Sequence, residues 1–168
     1  LRARVIAQHP SQAGTLAAHF ADVRTQSLAR ARDATELCDE VVAMRARIHK
    51  AYAGTEAGLF DLKQDAGGIT DIEFMVQYAA LLYAHEVPEL VRSTHMADQL
   101  ACLVAAGKIT AEQAEVLTQA WRAYIGAVHR LTLQEAPVRV DASEFSDLRN
   151  AVTSLWDTWL EKGSRSVQ

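Results

Sequence analysis

The sequence predicts an all-α fold, a bundle of about six helices, and three observations predict it. Apolar residues recur at three- and four-residue spacing through most of the 168 residues. The few helix breakers, 3 Pro and 8 Gly, mostly fall where those runs stop. No segment alternates convincingly between apolar and polar; a short strand is conceivable only at "PVRV", Pro137 to Val140. The length suits one helical domain over 1–168, and no fixed-period repeat or low-complexity tract divides it.

The first helix is expected from Ser11 to about Arg32, with Leu16, Phe20, Val23 and Leu28 on one stripe. The second runs from Thr35 to Ala53 with Leu37, Val41, Met44 and Ile48, and the two read as a packed hairpin. Gly54 and Gly58 break the pattern. From Thr70, the stripe Ile72, Met75, Val76, Ala79, Leu82 and Tyr83 marks a central helix that ends near Pro88. A fourth helix follows Thr94 and stops at Gly107, and Thr110 with Gln113 makes a capping-box signature for the fifth, which runs toward Pro137. The last begins near Ser143, turns Leu148, Val152, Leu155, Trp156 and Trp159 inward, and ends at Gly163.

A formal net charge of −4 argues against nucleic acid as a partner, because neutralising phosphates takes clustered Lys and Arg. Arg2, Arg4, Arg24, Arg30, Arg32, Arg45 and Arg47 concentrate in the first third and read as a solvated face. Cys38 and Cys102 lack the spacing of a zinc or redox pair. The six histidines are scattered, and Trp121, Trp156 and Trp159 sit at spacings that suit core anchors. No apolar run reaches the roughly 20 residues of a membrane span, and no signal peptide opens the sequence. A soluble, cytoplasmic protein is expected.

One stretch departs from plain helix: "DLKQDAGGITDIEF", Asp61 to Phe74. Gly67 and Gly68 suit a tight turn. They equally suit a helix N-terminus that admits a phosphate, with Lys63 as balancing charge. Thr70 and Glu73 fit a capping box. Asp71 and Glu73 are also candidate magnesium ligands, though residues two apart on a helix diverge, so at most one is expected to bind an ion.

The run "FDLKQDAGGITDIEFMVQYAALLYAHEVPEL" resembles the bifunctional glutamine synthetase adenylyltransferase/adenylyl-removing enzymes of bacteria. So do "LRARV", "LTQAWRAYIGAVHRLTLQE" and "SLWDTWLEKG". The last of these resembles the end of the adenylylating half. In that family each half joins a nucleotidyltransferase core, with a G-S and D-x-D metal signature, to a helical module shared with uridylyltransferases of the signal protein PII. The signature does not occur in this sequence. The resemblance therefore implies a helical module whose metal-binding core lies elsewhere in the polypeptide, serving the transfer of AMP from ATP to a tyrosine of glutamine synthetase with Mg2+, under control by PII and glutamine.

Lys63, Gly67, Gly68, Asp71 and Glu73 match the family's K-x-x-x-G-G-I-x-D-I-E-F pattern, which makes Lys63, Gly67 and Gly68 candidate nucleotide-binding residues. Asp71 and Glu73 are candidate catalytic residues, with Glu73 the candidate metal ligand. Gln64, Asp65 and Ala66 fill variable positions, and the negative Asp65 weakens direct phosphate binding. Two alternatives stand beside this: a regulatory or docking module for PII, glutamine or glutamine synthetase, with Arg45 and Arg47 as its handle, and a plain packing junction. The isolated chain is expected to be inactive in AMP transfer.

Overall fold

The structure, a computed structural model, describes residues 3, 5–7, 9, 14–52 and 57–161. Ser11, Arg2, Arg4, Gly54 and Gly163 fall outside these residues. Among those described are six α-helices: α1 Thr15–Leu28, α2 Ala34–Tyr52, α3 Ile69–Tyr83, α4 Met96–Ala105, α5 Ala111–Leu133 and α6 Ser146–Trp156. A tight helical turn, Pro88–Val91, precedes α4, and a wider turn, Asp157–Glu161, prolongs α6. The all-α expectation holds.

One correction concerns strands. β1 (Leu59–Asp61) and β2 (Arg139–Asp141) pair antiparallel, with Phe60 opposite Val140. Only β2 overlaps a segment the sequence suggested. Three residues are too few for alternation to register, and β1 is held by its partner and by Phe60, which is fully buried.

α3 is the central helix, as expected. Its buried residues, among them Ile69, Ile72, Met75, Val76, Tyr78, Ala79 and Ala80, lie on most of its circumference. That is what a helix needs when it touches α2, α4, α5, α6 and the Pro88–Val91 turn at once. The stops and starts around it are chemically plain. Gly107 adopts φ +66° and ends α4, with Lys108 N–H donating to Leu103 O at 2.9 Å. The Thr110–Gln113 capping box forms in both directions: Gln113 N–H donates to Thr110 Oγ1 at 3.1 Å, and Thr110 N–H to Gln113 Oε1 at 2.9 Å.

α1 differs from expectation. It packs on the Pro88–Val91 turn instead of forming a hairpin along α2, and it contributes no buried residue. Leu16 and Val23 stay exposed, and Arg24 ties the helix down by donating to Val91 O. Met44 on α2, expected in the apolar stripe, is also exposed. Cys38 is buried and its thiol donates to Leu160 O at 3.0 Å, whereas Cys102 is half-buried.

Phe60 joins the ribbon to the bundle. It meets Tyr124 of α5 edge-on at 5.7 Å between centroids, and Tyr124 meets Phe145 in the same way at 5.4 Å. The Arg149 guanidinium covers the outer face of Phe60 at 4.6 Å. Tyr124 is fully buried, and its hydroxyl finds no hydrogen-bond partner among the described residues. Burial pushes its pKa up from 10.0 to about 12.

Two outcomes follow for Tyr124. Tyr124→Phe should match or exceed the parent chain's stability in urea unfolding at neutral pH, because it removes an unsatisfied buried donor. Tyr124→Ala should lose about 3–5 kcal/mol. The raised folded pKa places the phenol's contribution fully below pH 10.0 and removes it as the pH climbs through about 12, so Tyr124→Phe should also lessen the alkaline loss of stability over that window.

Candidate functional site

The segment from Asp61 to Thr70 is a turn closed almost entirely by its own carboxylates and carbonyls. Asp61 Oδ1 accepts from Lys63 N–H at 2.9 Å and Gln64 N–H at 3.0 Å. Asp65 Oδ2 accepts from Asp61 N–H at 2.8 Å. These are the local side-chain to backbone bonds that Asp makes in turns.

The start of α3 is closed in the same way. Gly67 N–H donates to Asp71 Oδ2 at 2.7 Å. Gly68, Ile69 and Thr70 donate to the carbonyls of Asp65, Leu62 and Lys63 at 3.0, 2.9 and 3.1 Å. A helix N-terminus attracts anions through N–H groups that lack partners. These four amides have partners within the chain.

The capping box expected from Thr70 and Glu73 does not form. The N-cap is Gly68, two residues earlier, with no side-chain cap, so Asp71 and not Glu73 stands third in the helix. Asp71 reaches back past the N-cap to accept from the Gly67 amide, while the Gly68 amide goes to Asp65 O. The shift has a packing cause: Ile69 is buried and needs a helical position facing the core.

Both glycines are required by close approach. Gly67 sits at φ +80°, and a Cβ there would lie 2.6 Å from Arg149 O and 2.9 Å from Thr153 Oγ1 on α6. A Cβ on Gly68 would meet Leu62 O at 2.9 Å and Asp65 O at 3.0 Å. The space a phosphate would need beside them is filled by α6 and the turn itself.

Two arginines hold the turn from opposite sides. Arg45 of α2, expected on a solvated face, is buried: its Nε pairs with Asp71 Oδ1 and its Nη2 donates to Gln64 O at 2.8 Å. Its Nη1 is buried without a partner among the described residues. The charge pattern of α2 could not reveal this, because the partner carboxylate lies 26 residues away. From the other side, Arg149 of α6 donates through Nε to Ala66 O at 3.0 Å.

The five matched residues therefore separate. Gly67, Gly68 and Asp71 are built into the turn, Lys63 projects into solvent, and Glu73 is half-buried on another face of α3. Glu73 lines a pocket of about 390 Å³ bounded by α3, by the start of α4 and by α5. Its other walls include Gln77, Gln99 and Arg122, which the sequence did not single out, and Trp121, which the sequence suggested as a core anchor. They come from three helices, and only the spacing of Glu73 and Gln77 by one helical turn was legible in advance. Among the described residues, no three His, Cys, Asp or Glu side chains converge as a metal site, and Asp71 is committed to Arg45 and Gly67. Glu73 alone could supply one ligand to an ion held mainly elsewhere. No helix of the described chain is long and apolar enough to cross a membrane.

Comparison with known proteins places this geometry in context. The family described as GlnD PII-uridylyltransferase matches residues 35–137, which take in α2 to α5 and the clamped turn. The bifunctional glutamine synthetase adenylyltransferase/adenylyl-removing enzyme of Nitrosococcus oceani is 41% identical over 149 residues, 89% of this chain and 15% of its own length. Its counterpart in Methylococcus capsulatus is 38% identical over 161 residues, 96% of this chain and 17% of its own length. The chain thus spans only about 15% of the length of such relatives.

Substitution should separate the built-in residues from the exposed one. Asp71→Ala strands a buried guanidinium and should cost about 3–5 kcal/mol in urea unfolding. Gly67→Ala should also destabilise, by more than 1 kcal/mol given strain at positive φ plus a backbone clash. Lys63→Ala should stay within about 0.5 kcal/mol of the parent chain.

Proposed function

The chain belongs to the GlnD PII-uridylyltransferase family, and from that premise we propose that it is the helical part of an enzyme that transfers AMP from ATP to a tyrosine of glutamine synthetase. The observation that carries the reading is about 40% identity, across nearly all of this chain, to relatives named for that activity. In the reaction the tyrosine oxygen bonds to the α-phosphorus, the bond to the bridging oxygen breaks, and pyrophosphate leaves. Such chemistry depends on positioning the reactants and neutralising phosphate charge.

Within that enzyme the nucleotidyltransferase core holds Mg2+ and most of the nucleotide, and this module completes the site. Lys63, presented on a turn fixed by Arg45 and Arg149, offers a positive charge to the phosphates. Glu73 offers a carboxylate from α3. Gly67, Gly68 and Asp71 contribute by shaping the turn that carries Lys63, a positioning role. Without the core this chain carries no metal-binding cluster of its own among the described residues.

A second reading, a regulatory or docking module for PII, glutamine or glutamine synthetase, draws on the exposed apolar side chains Leu16, Val23, Met44 and Tyr52 of α1 and α2. Arg47 remains exposed as a handle for it, but Arg45 does not, because reversing its charge would unfold the turn.

The test is an AMP-transfer assay with glutamine synthetase. The isolated chain should transfer none, and the full-length enzyme carrying Glu73→Gln or Lys63→Met should lose turnover at saturating effectors. Transfer by the isolated chain would contradict the reading. Full turnover in both variants, with an altered effector response in Arg47→Glu, would favour docking.

A further inference from the structure

α1 is a helix that adds nothing to the core. It contributes no buried residue and packs on the Pro88–Val91 turn. Polar bonds hold it there: Arg24 donates to Val91 O, and Arg32, just past the helix end, donates through Nη1 to Leu28 O at 2.7 Å and Leu81 O at 3.2 Å. A 14-residue helix is marginal in water by itself, because most helical stability in proteins comes from packing an apolar face. α1 has such a face, and it is uncovered. Leu16 and Val23, two helical turns apart and so on one side, are 44% and 47% exposed. Phe20 lies between them, half-buried, and Ser27 continues the stripe, so no Lys, Arg, Asp or Glu falls on it. The match to the PII-uridylyltransferase family begins at residue 35, past the end of α1, which leaves this helix outside the matched module.

We propose, resting on the reading of this chain as one part of an AMP-transferring enzyme, that the Leu16, Phe20 and Val23 face of α1 is an interdomain interface. Its occupant is an apolar surface on the larger part of that polypeptide, since the chain spans only about 15% of the length of its relatives. An uncharged stripe suits an apolar partner surface, as charge is depleted at the centre of an interface. Area selects a tethered domain over a free partner. A helix of 14 residues is about 21 Å long and about 10 Å across. Its outer face falls well short of the roughly 800 Å² that each partner gives to a standard complex. A domain of the same polypeptide meets α1 at an effective concentration in the millimolar range, where so small a patch suffices. A second copy of the chain, glutamine synthetase or PII arrives from dilute solution and needs the larger area.

The test is amide hydrogen exchange across α1, read by mass spectrometry in the full-length enzyme and in the isolated chain, with slow exchange in α3 as the check that the latter is folded. With no partner added, α1 should exchange about tenfold faster in the isolated chain than in the full-length enzyme. The double substitution Leu16→Asp and Val23→Asp should speed α1 about as much within the full-length enzyme and leave α2 to α6 protected as before. Equal exchange of α1 in both proteins, or no effect of the double substitution, would overturn the proposal. So would protection that appears only on adding glutamine synthetase or PII, or that rises with the concentration of the isolated chain, because the face would then belong to a free partner or a second copy. Failure of the AMP-transfer reading would appear elsewhere, as a full-length enzyme that protects α1 yet transfers no AMP.

Discussion

The buried pair between Arg45 and Asp71 is the contact on which the front of the molecule depends. It joins α2 to the first turn of α3, and through the second oxygen of Asp71 it also holds the Gly67 amide. Arg45 reaches on to Gln64 O, so one guanidinium fixes both ends of the turn. A buried ion pair is a weak source of net stability, because desolvation offsets much of the attraction. Its consequence here is geometric: α3 can start only where Asp71 meets Arg45. That register sends Ile69, Ile72, Met75 and Val76 into the core and turns Glu73 and Gln77 toward the pocket.

This division resolves the mixed appearance of "DLKQDAGGITDIEF". Four carboxylates, two glycines and a lysine in fourteen residues look like the makings of an ion or phosphate site. Asp61, Asp65 and Asp71 hold backbone amides, and both glycines lie against backbone that leaves no room for a Cβ. Lys63 and Glu73 are the two that meet solvent or an open cavity, and they do so on different faces. A turn this closed is a stiff platform for the exposed Lys63, in keeping with the role proposed for it above.

Much of the fold was legible because helical periodicity and end signals are local. The central helix, the stop at Gly107 and the Thr110–Gln113 capping box all follow from residues a few positions apart. What stayed hidden is non-local. β1 exists because β2 lies some 80 residues later in the chain. Arg45 reads as surface until Asp71 is brought to it, and α1 carries an apolar stripe that the described core leaves largely uncovered. At the site, pattern matching found the right segment but could not sort its members, since Asp71 and Glu73 differ only by the rotation of two residues along a helix. The pocket residues Gln77, Gln99, Trp121 and Arg122 carry no joint signal in sequence at all, because three helices must first assemble.

The most direct test of the closed turn is amide hydrogen exchange of Gly67, Gly68, Ile69 and Thr70 in the native chain. If Asp71 and the carbonyls of Leu62, Lys63 and Asp65 hold these four donors, they will exchange as slowly as the interior of α3, through near-global unfolding. Exchange at the rates of an open loop, while the rest of α3 stays protected, would mean that the amides are free and that the turn is available to an anion after all.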